Sequence, residues 1–369
     1  MQNQKKIFLI SNTLSAGGAE RMLLNLASEL SQIPSFSITF ITTSGHTPSF
    51  FNVPEGIKHI SLSSAHTKNI ALHILQFIKK TFKLRQLFQK QNAEIIVISF
   101  LENINILNII STLGLRAKSI ISIRNHPQYK SVPFWIKLLR RLFYPVAETL
   151  VVQTESIKKW CTDRKLNKNI IVIPNFLSHE FDQMKLSPKL TNEDLPYFFS
   201  IGRLHEQKGF DTLLEAIAIL LQKGLQAKCK IIGTGPQLDN LKIKISKLHL
   251  NEIVTIIAPI RDAKLLYQQG NIFILSSKYE GFPNVLLEAM SMGIPVISTN
   301  CPSGPSEIIE NNINGILVPV NDPQSMALAM EKLISDPELC LKLAKEATKV
   351  SIRYHRSSII KMWIDCIKR

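Results

Sequence analysis

Residues 276–290 read Ser276-Ser277-Lys278-Tyr279-Glu280-Gly281-Phe282-Pro283-Asn284-Val285-Leu286-Leu287-Glu288-Ala289-Met290, and their reading decides the fold. Two carboxylates, Glu280 and Glu288, are separated by a turn glycine, a proline and the start of an apolar helix. Pro283 suits a first helical position, where its missing N–H is no loss. The N–H groups of Asn284, Val285 and Leu286 are then predicted to point outward from a positive helix end. Such an end binds anions. Glu288 falls in the second turn among apolar neighbours, where a carboxylate needs donors that ligand hydroxyls can supply. Phosphate at the helix end with a hydroxyl at Glu288 describes a nucleotide-sugar.

Around this segment, short β-rich runs alternate with amphipathic helices. Strands are predicted at 6–11, 37–43, 57–62, 95–100, 119–123, 149–153 and 169–173, and again at 197–201, 228–232, 253–257, 271–275, 295–298 and 315–318. Many are continuously apolar, as parallel strands covered on both faces are. The repetition predicts an α/β protein of two Rossmann-like, doubly wound domains facing a central cleft. The segment 181–196 breaks the rhythm and reads as an interdomain linker. An N-terminal domain of 1–180 and a C-terminal domain of 197–350 follow, with 351–369 as a final helix.

The chain has 369 residues and a net charge of +16. Residues 1–180 hold 22 Lys/Arg against 9 Asp/Glu, and the remainder 22 against 19, so the first half carries the basic character. Anionic lipid, phosphorylated substrates and nucleic acid all fit that charge, as does plain solubility. No nucleic-acid module is present, so no nucleic acid is expected as partner. Five scattered cysteines without a C-x-x-C spacing indicate neither a zinc site nor a disulfide framework. A reducing, cytoplasmic compartment is expected, with the inner face of the plasma membrane as a peripheral site. The Ile7–Ile10 run is too short for a signal peptide, and no stretch reaches transmembrane length. No D-x-D pair and no metal-ligand spacing occur, so neither a metal nor another cofactor is expected.

Several loops at strand ends carry candidate chemistry. Gly17 and Gly18 permit a tight turn and close approach to a ligand. In Ile201-Gly202-Arg203-Leu204-His205-Glu206-Gln207-Lys208-Gly209-Phe210, Arg203 and Lys208 can grip phosphate. His205 reads as structural or solvent-facing. Gly233-Thr234-Gly235-Pro236 reads chiefly as a turn lining the cleft. In the run 301–307, Ser303 or Ser306 reads as a helix cap. Arg124, Asn125 and His126 end the strand at 119–123. His126 is read equally as a proton carrier and as a surface histidine before a proline. Two basic amphipathic stretches stand out, 70–90 and 134–144. In the second, Trp135, Leu138, Leu139, Leu142 and Phe143 form an apolar stripe with Lys137, Arg140 and Arg141 between them. Both a membrane-interface helix and an ordinary core-facing helix fit it.

These motifs together resemble the GT-B glycosyltransferases of family 4, the glycosyltransferase group 1 proteins. Glu280 to Glu288 is similar to that family's E-x7-E motif, Gly202-Arg203 with Lys208-Gly209 to its diphosphate clamp, and Gly17-Gly18-Ala19-Glu20 to its N-terminal glycine loop. The resemblance implies retaining, metal-independent transfer of a hexose or N-acetylhexosamine from a UDP- or GDP-sugar. The acceptor implied is a growing envelope glycan, lipid-linked, at an anionic membrane surface. It implies that Arg203 and Lys208 hold the diphosphate and Glu288 the ribose. Glu280 and the backbone of Phe282, Pro283, Asn284 and Val285 would lie near the donor sugar, with Gly235 lining the site. Gly17 and Gly18 would close on the diphosphate, and the last helix would return to the N-terminal domain; Arg124 and Asn125, from their strand-end position, are candidates for acceptor or membrane contact and His126 for catalysis. Two departures are visible. Arg124-Asn125-His126 stands where many members place one histidine, and Ala258-Pro259 where they have glycine. A GT-B-like epimerase or phosphorylase is the alternative enzyme reading, and a basic nucleic-acid binder the non-enzymatic one.

Overall fold

The computed structural model describes residues 4–15, 17–44, 50–62, 70–129, 132–181 and 196–369. The expected linker at 181–196 lies almost entirely outside them. The chain divides into two compact units, Met1–Asn175 with Ser357–Arg369, and Phe176–Arg356. The break comes before residue 180 because Leu177 and Phe181 are buried with Tyr267, in the second unit's core.

The first unit runs β1 (Lys5–Ser11), α1 (Gly18–Ser31), β2 (Phe36–Thr42), β3 (Lys58–Ser61), α2 (Ile70–Gln89), β4 (Ile95–Phe100), α3 (Glu102–Thr112), β5 (Ala117–Ser122), α4 (Phe134–Phe143), β6 (Thr149–Val152), α5 (Glu155–Asp163) and β7 (Ile170–Val172). Its sheet order is β3-β2-β1-β4-β5-β6-β7, all parallel. The apolar run Ile95–Phe100 is buried along its whole length because helices cover both faces. Trp363 of the last helix packs on Phe100 of β4, with ring centroids 5.9 Å apart. A polar seam runs through this core. Asn105 donates to the Ser122 carbonyl at 2.8 Å and to the Tyr144 hydroxyl at 3.1 Å, and Ser99 donates to Asn105 Oδ1 at 2.9 Å.

The second unit runs β8 (Tyr197–Ile201), α6 (Phe210–Gln222), β9 (Lys228–Ile232), α7 (Leu238–Lys247), β10 (Val254–Ile257), α8 (Ala263–Tyr267), β11 (Ile272–Leu275), α9 (Asn284–Ser291), β12 (Val296–Thr299), α10 (Pro305–Ile308), β13 (Ile316–Val318), α11 (Pro323–Ser335), α12 (Pro337–Ala347) and α13 (Val350–Arg353). Then α14 (Arg356–Lys368) belongs to the first unit for all but its first residue. The second sheet has the order β10-β9-β8-β11-β12-β13, again parallel. In both sheets the order reverses beside the first strand, between β1 and β4 and between β8 and β11. Ligands of doubly wound sheets bind beyond the carboxyl ends of the strands at that reversal.

Candidate active site

The loops that leave β8 and β11, on either side of the reversal in the second unit, are the ones that carry the Gly202–Gly209 run and the Glu280–Glu288 segment. Backbone and side-chain hydrogen bonds stitch them together. The Lys278 N–H donates to the Gln207 carbonyl at 2.7 Å, Ser276 Oγ to the Lys208 carbonyl at 2.7 Å, and Gln207 Nε2 to the Tyr279 carbonyl at 2.9 Å. Gly209 turns this loop into α6 with φ of 60°, and a Cβ there would strike the Ser276 carbonyl, so only glycine fits. His205 accepts the Gln207 N–H at 3.3 Å and caps the single helical turn that precedes Gly209.

Lys208 and Glu280 meet within this frame. Lys208 Nζ lies 2.6 Å from Glu280 Oε1, which also accepts from Ser277 Oγ at 2.7 Å. Both side chains are largely buried, at 16% and 8% exposure. The lysine stem lies across Gly202, whose missing Cβ makes the room. Arg203, by contrast, is exposed on the same loop. The carboxylate is held from behind as well. Thr299 Oγ1 donates to the Ser277 carbonyl at 2.6 Å, and Ser303 Oγ to the Glu280 carbonyl at 2.7 Å. Ser303 therefore ties down the Glu280 loop instead of capping a helix, and Gly304 occupies the cap of α10. Its φ of 89° and the Pro283 Cδ, 2.7 Å from where a Cβ would stand, reserve that position for glycine. Burial, with Glu280 alongside, pushes the Cys301 thiol up to about 12.

Pro283 is the N-cap of α9, with ψ of 98°, not its first helical residue. Its carbonyl accepts the N–H groups of Leu286 and Leu287 at 3.1 and 3.2 Å, which takes Leu286 out of the expected set of outward donors. Phe282 turns its ring into the core, 5.2 Å from that of Tyr354, so only its backbone faces the loop. Glu288, 5% exposed, accepts from the Tyr267 hydroxyl at 2.6 Å. Tyr267 is itself fully buried, edge-on to Phe181 and Phe199. The sequence reading missed Tyr267, since a tyrosine 21 positions before a glutamate carries no local signal. Gly235 has φ of 159° and packs so closely on the Leu204 backbone that a Cβ would collide with it. That makes it a close-packing turn.

The first unit places its own candidates at strand ends. Gly17 caps α1 with an ordinary extended φ of −92°, and the Glu20 carboxylate folds back over it. Backbone hand does not require glycine at 17, and the one close neighbour of a Cβ there would be the movable end of the Glu20 side chain. Gly18 opens the helix and is exposed. Arg124 lies 4.1 Å over the Phe100 ring and donates to Ser122 Oγ and to Asn175 Oδ1. Burial pulls its pKa down to about 9, still charged at neutral pH. Asn125 Oδ1 accepts the His126 N–H at 2.9 Å. His126 is not a surface residue. It is buried against Tyr129 and Trp160, and burial, then the positive charge of Arg164, lowers its pKa.

Arg140 departs most from expectation. It points inward, paired with Glu102 at 2.7 Å with both side chains 8% exposed, and its guanidinium lies 5.1 Å from the Trp160 ring centre. On a helix of 3.6 residues per turn, Arg140 shares a face with Ile136 and Phe143. Leu139 and Phe143 pack on that buried side too, whereas Trp135, Lys137, Leu138, Arg141 and Leu142 face outward. Among the described residues, no group of three or more His, Cys, Asp or Glu side chains is arranged to hold a metal ion.

Comparison with known proteins agrees with this geometry. Residues 182–350 match the family "Glycosyl transferases group 1". An uncharacterized glycosyltransferase of Haemophilus influenzae is 30% identical over 97% of this chain and 99% of its own. The chain belongs to the group 1 glycosyltransferases and is a glycosyltransferase. A Campylobacter jejuni relative is 29% identical over 98% of both chains. Its name is GalNAc-alpha-(1->4)-GalNAc-alpha-(1->3)-diNAcBac-PP-undecaprenol alpha-1,4-N-acetyl-D-galactosaminyltransferase. The fold is GT-B: Anabaena HepE in complex with UDP and glucose superimposes with a TM-score of 0.78 at 17% identity, over 99% of this chain and 100% of that one.

Proposed function

We propose that the protein is a retaining, metal-independent family 4 glycosyltransferase that moves a hexose or N-acetylhexosamine from a UDP-sugar to a lipid-linked envelope glycan. The work would be done at the cytoplasmic face of the plasma membrane. The carrying observation is the Lys208–Glu280 pair, held at 2.6 Å where the phosphate loop and the E-x7-E loop are stitched together beside the sheet reversal. The relative named for transfer to a PP-undecaprenol-linked glycan supports the acceptor class, and the solved UDP complex of the same fold supports the nucleotide.

In this reading Arg203 and Lys208 bind the donor diphosphate. They stabilise the charge that builds on it as the sugar–phosphate bond breaks, and removing one such donor typically costs about 10²–10³ in rate. These two cations, of which Lys208 is held in place by Glu280, would supply the charge that a metal supplies elsewhere. Glu288, set by Tyr267, accepts from the ribose hydroxyls. Glu280 has Lys208 and Ser277 on one oxygen, so it orients the lysine and flanks the sugar instead of shuttling a proton. The backbone at 282–284 lines the sugar.

Thermal shift tests the donor. UDP at millimolar concentration should raise the melting temperature and GDP should do so less; no shift with either sinks the assignment. Arg203→Ala and Glu288→Ala should each lower turnover by about 10²-fold or more, and full activity in both would remove the site. Mass spectrometry of the product checks the reaction class, because conversion of the UDP-sugar without acceptor would mark an epimerase.

A further inference from the structure

We infer that the cleft between the loop leaving β1 and the loop joining β2 to β3 is a glycan subsite selective for uncharged sugar units. The cleft has a volume of about 440 Å³, inside the range of about 300–1,000 Å³ typical of ligand pockets. Two backbone hydrogen bonds build it. The N–H groups of Phe50 and Phe51 both donate to the Leu14 carbonyl, at 2.8 and 3.2 Å, and tie the second loop to the first. The chain then turns at Pro54–Ile57, where the Ile57 N–H meets the Pro54 carbonyl at 3.3 Å. Gly56 takes the third place of that turn with φ of 83°, a position made for glycine. His59 of the edge strand β3 forms another wall, with its Nε2 3.0 Å from Thr42 Oγ1. Leu14 lies in the same loop as Gly17 and Gly18, beyond the carboxyl end of β1 and beside the sheet reversal. One wall of the cleft thus stands where doubly wound sheets bind their ligands.

The lining combines apolar and polar surface. Leu14 and Ile57 are buried, and Phe51 is half-buried with its ring 5.0 Å from that of Phe50 and almost perpendicular to it. The electron-rich face of an aromatic ring suits the C–H face of a pyranose. Asn52, Glu55 and His59 add an amide, a carboxylate and an imidazole. Sugar hydroxyls both donate and accept, so they can answer all three. Charge narrows the ligand further. Residues 1–180 hold 22 Lys/Arg against 9 Asp/Glu, yet no Lys or Arg is among the described residues that line this cleft. Partial burial lowers the pKa of His59 from its ordinary 6.5, so the ring is neutral at pH 7. Glu55 is then the one charge on the described lining. A phosphate or a uronate would meet that carboxylate with no cation to answer it, whereas an uncharged sugar meets no such repulsion.

The inference takes from the proposed function only that the acceptor is a glycan, and its test contains no nucleotide-sugar. The full chain is applied at pH 7 to a printed panel of neutral, uronate-containing and free-amine glycans. It should bind neutral members and bind their uronate-containing counterparts at least about tenfold less. Phe51→Ala should reduce neutral-glycan binding about tenfold or more, and so should Asn52→Ala/Glu55→Ala. The second pair replaces exposed side chains, so its melting temperature should stay at the parent value even if Phe51→Ala lowers it. The inference is overturned if the parent binds no neutral glycan, if it holds uronate or free-amine glycans as well as neutral ones, or if both substitutions leave binding intact. Neutral-glycan binding without a thermal shift by UDP would uphold the cleft and remove the donor assignment. A UDP shift without glycan binding would do the reverse.

Discussion

Changing Tyr267 to Phe removes a hydroxyl that donates to Glu288 Oε2 at 2.6 Å and lies 3.3 Å from the Val285 carbonyl. The phenyl ring keeps its place edge-on to Phe181 at 5.8 Å and Phe199 at 6.2 Å, and only the hydroxyl 2.6 Å from Glu288 Oε2 is lost. A hydrogen bond to a charged group contributes about 1.5–3 kcal/mol, and here the acceptor left behind is a buried carboxylate. For a unit of this size, roughly 2 kcal/mol lowers the melting temperature by about 4–8 °C. The effect on the reaction should be narrower. In the proposed function Glu288 would meet the ribose alike in ground and transition states, so its misplacement would remove uniform binding. UDP affinity and the donor KM should weaken by about tenfold, equivalent to ~1.4 kcal/mol, with kcat within about twofold. Isothermal titration with UDP and steady-state kinetics read these separately. A melting drop with unchanged UDP affinity would refute the positioning role, and an unchanged melting temperature would refute the energetic weight given to the bond.

Arg140→Ala should destabilise the first unit by about 3–5 kcal/mol in urea unfolding, because it strands the buried Glu102 carboxylate. Its exposed neighbour should matter far less, with Arg141→Ala within about 0.5 kcal/mol. The thiols of Cys161, Cys229, Cys301 and Cys340 are pushed up to about 12 and that of Cys366 to about 11, all by burial. Iodoacetamide near pH 8 should therefore modify none of these in the folded protein and all after denaturation, since the thiolate is the reactive form. His126, lowered from its ordinary 6.5, is held neutral in the fold while the unfolded chain takes up protons first. Its contribution is complete above about pH 6.5 and is lost as pH falls below that. Melting temperature should drop on acidification, and His126→Gln should flatten that drop without abolishing it, because burial lowers His59 in the same direction.

β4 was readable because burial on both faces writes it as a nearly continuous apolar run, and β8 and β9 also occupy the expected residues although Lys228 and Lys230 interrupt β9. The demand for glycine at 209 was not legible, because it comes from a left-handed φ of 60° and the nearby Ser276 carbonyl. Contacts between distant positions were not legible either. Tyr267 reaches Glu288, and Ser303 reaches Glu280, only because the strand order sets the loops of β11 and β12 side by side. The face of α4 was misassigned for a different reason. Arginine at a position facing the core contradicts composition, and only Glu102 at the start of α3 makes that burial tolerable. Pro283 moved by one residue because its carbonyl already serves two helical N–H groups, a detail of ψ that residue type leaves open.

The hold of Glu280 on Lys208 also bears on the entropy of binding. A free lysine side chain loses up to about 2 kcal/mol of rotamer freedom when it is fixed against a ligand. Here the stem is already laid across Gly202 and its ammonium is anchored at 2.6 Å. The loss of freedom falls on folding, so a diphosphate bound as proposed would meet a cation that is already in place.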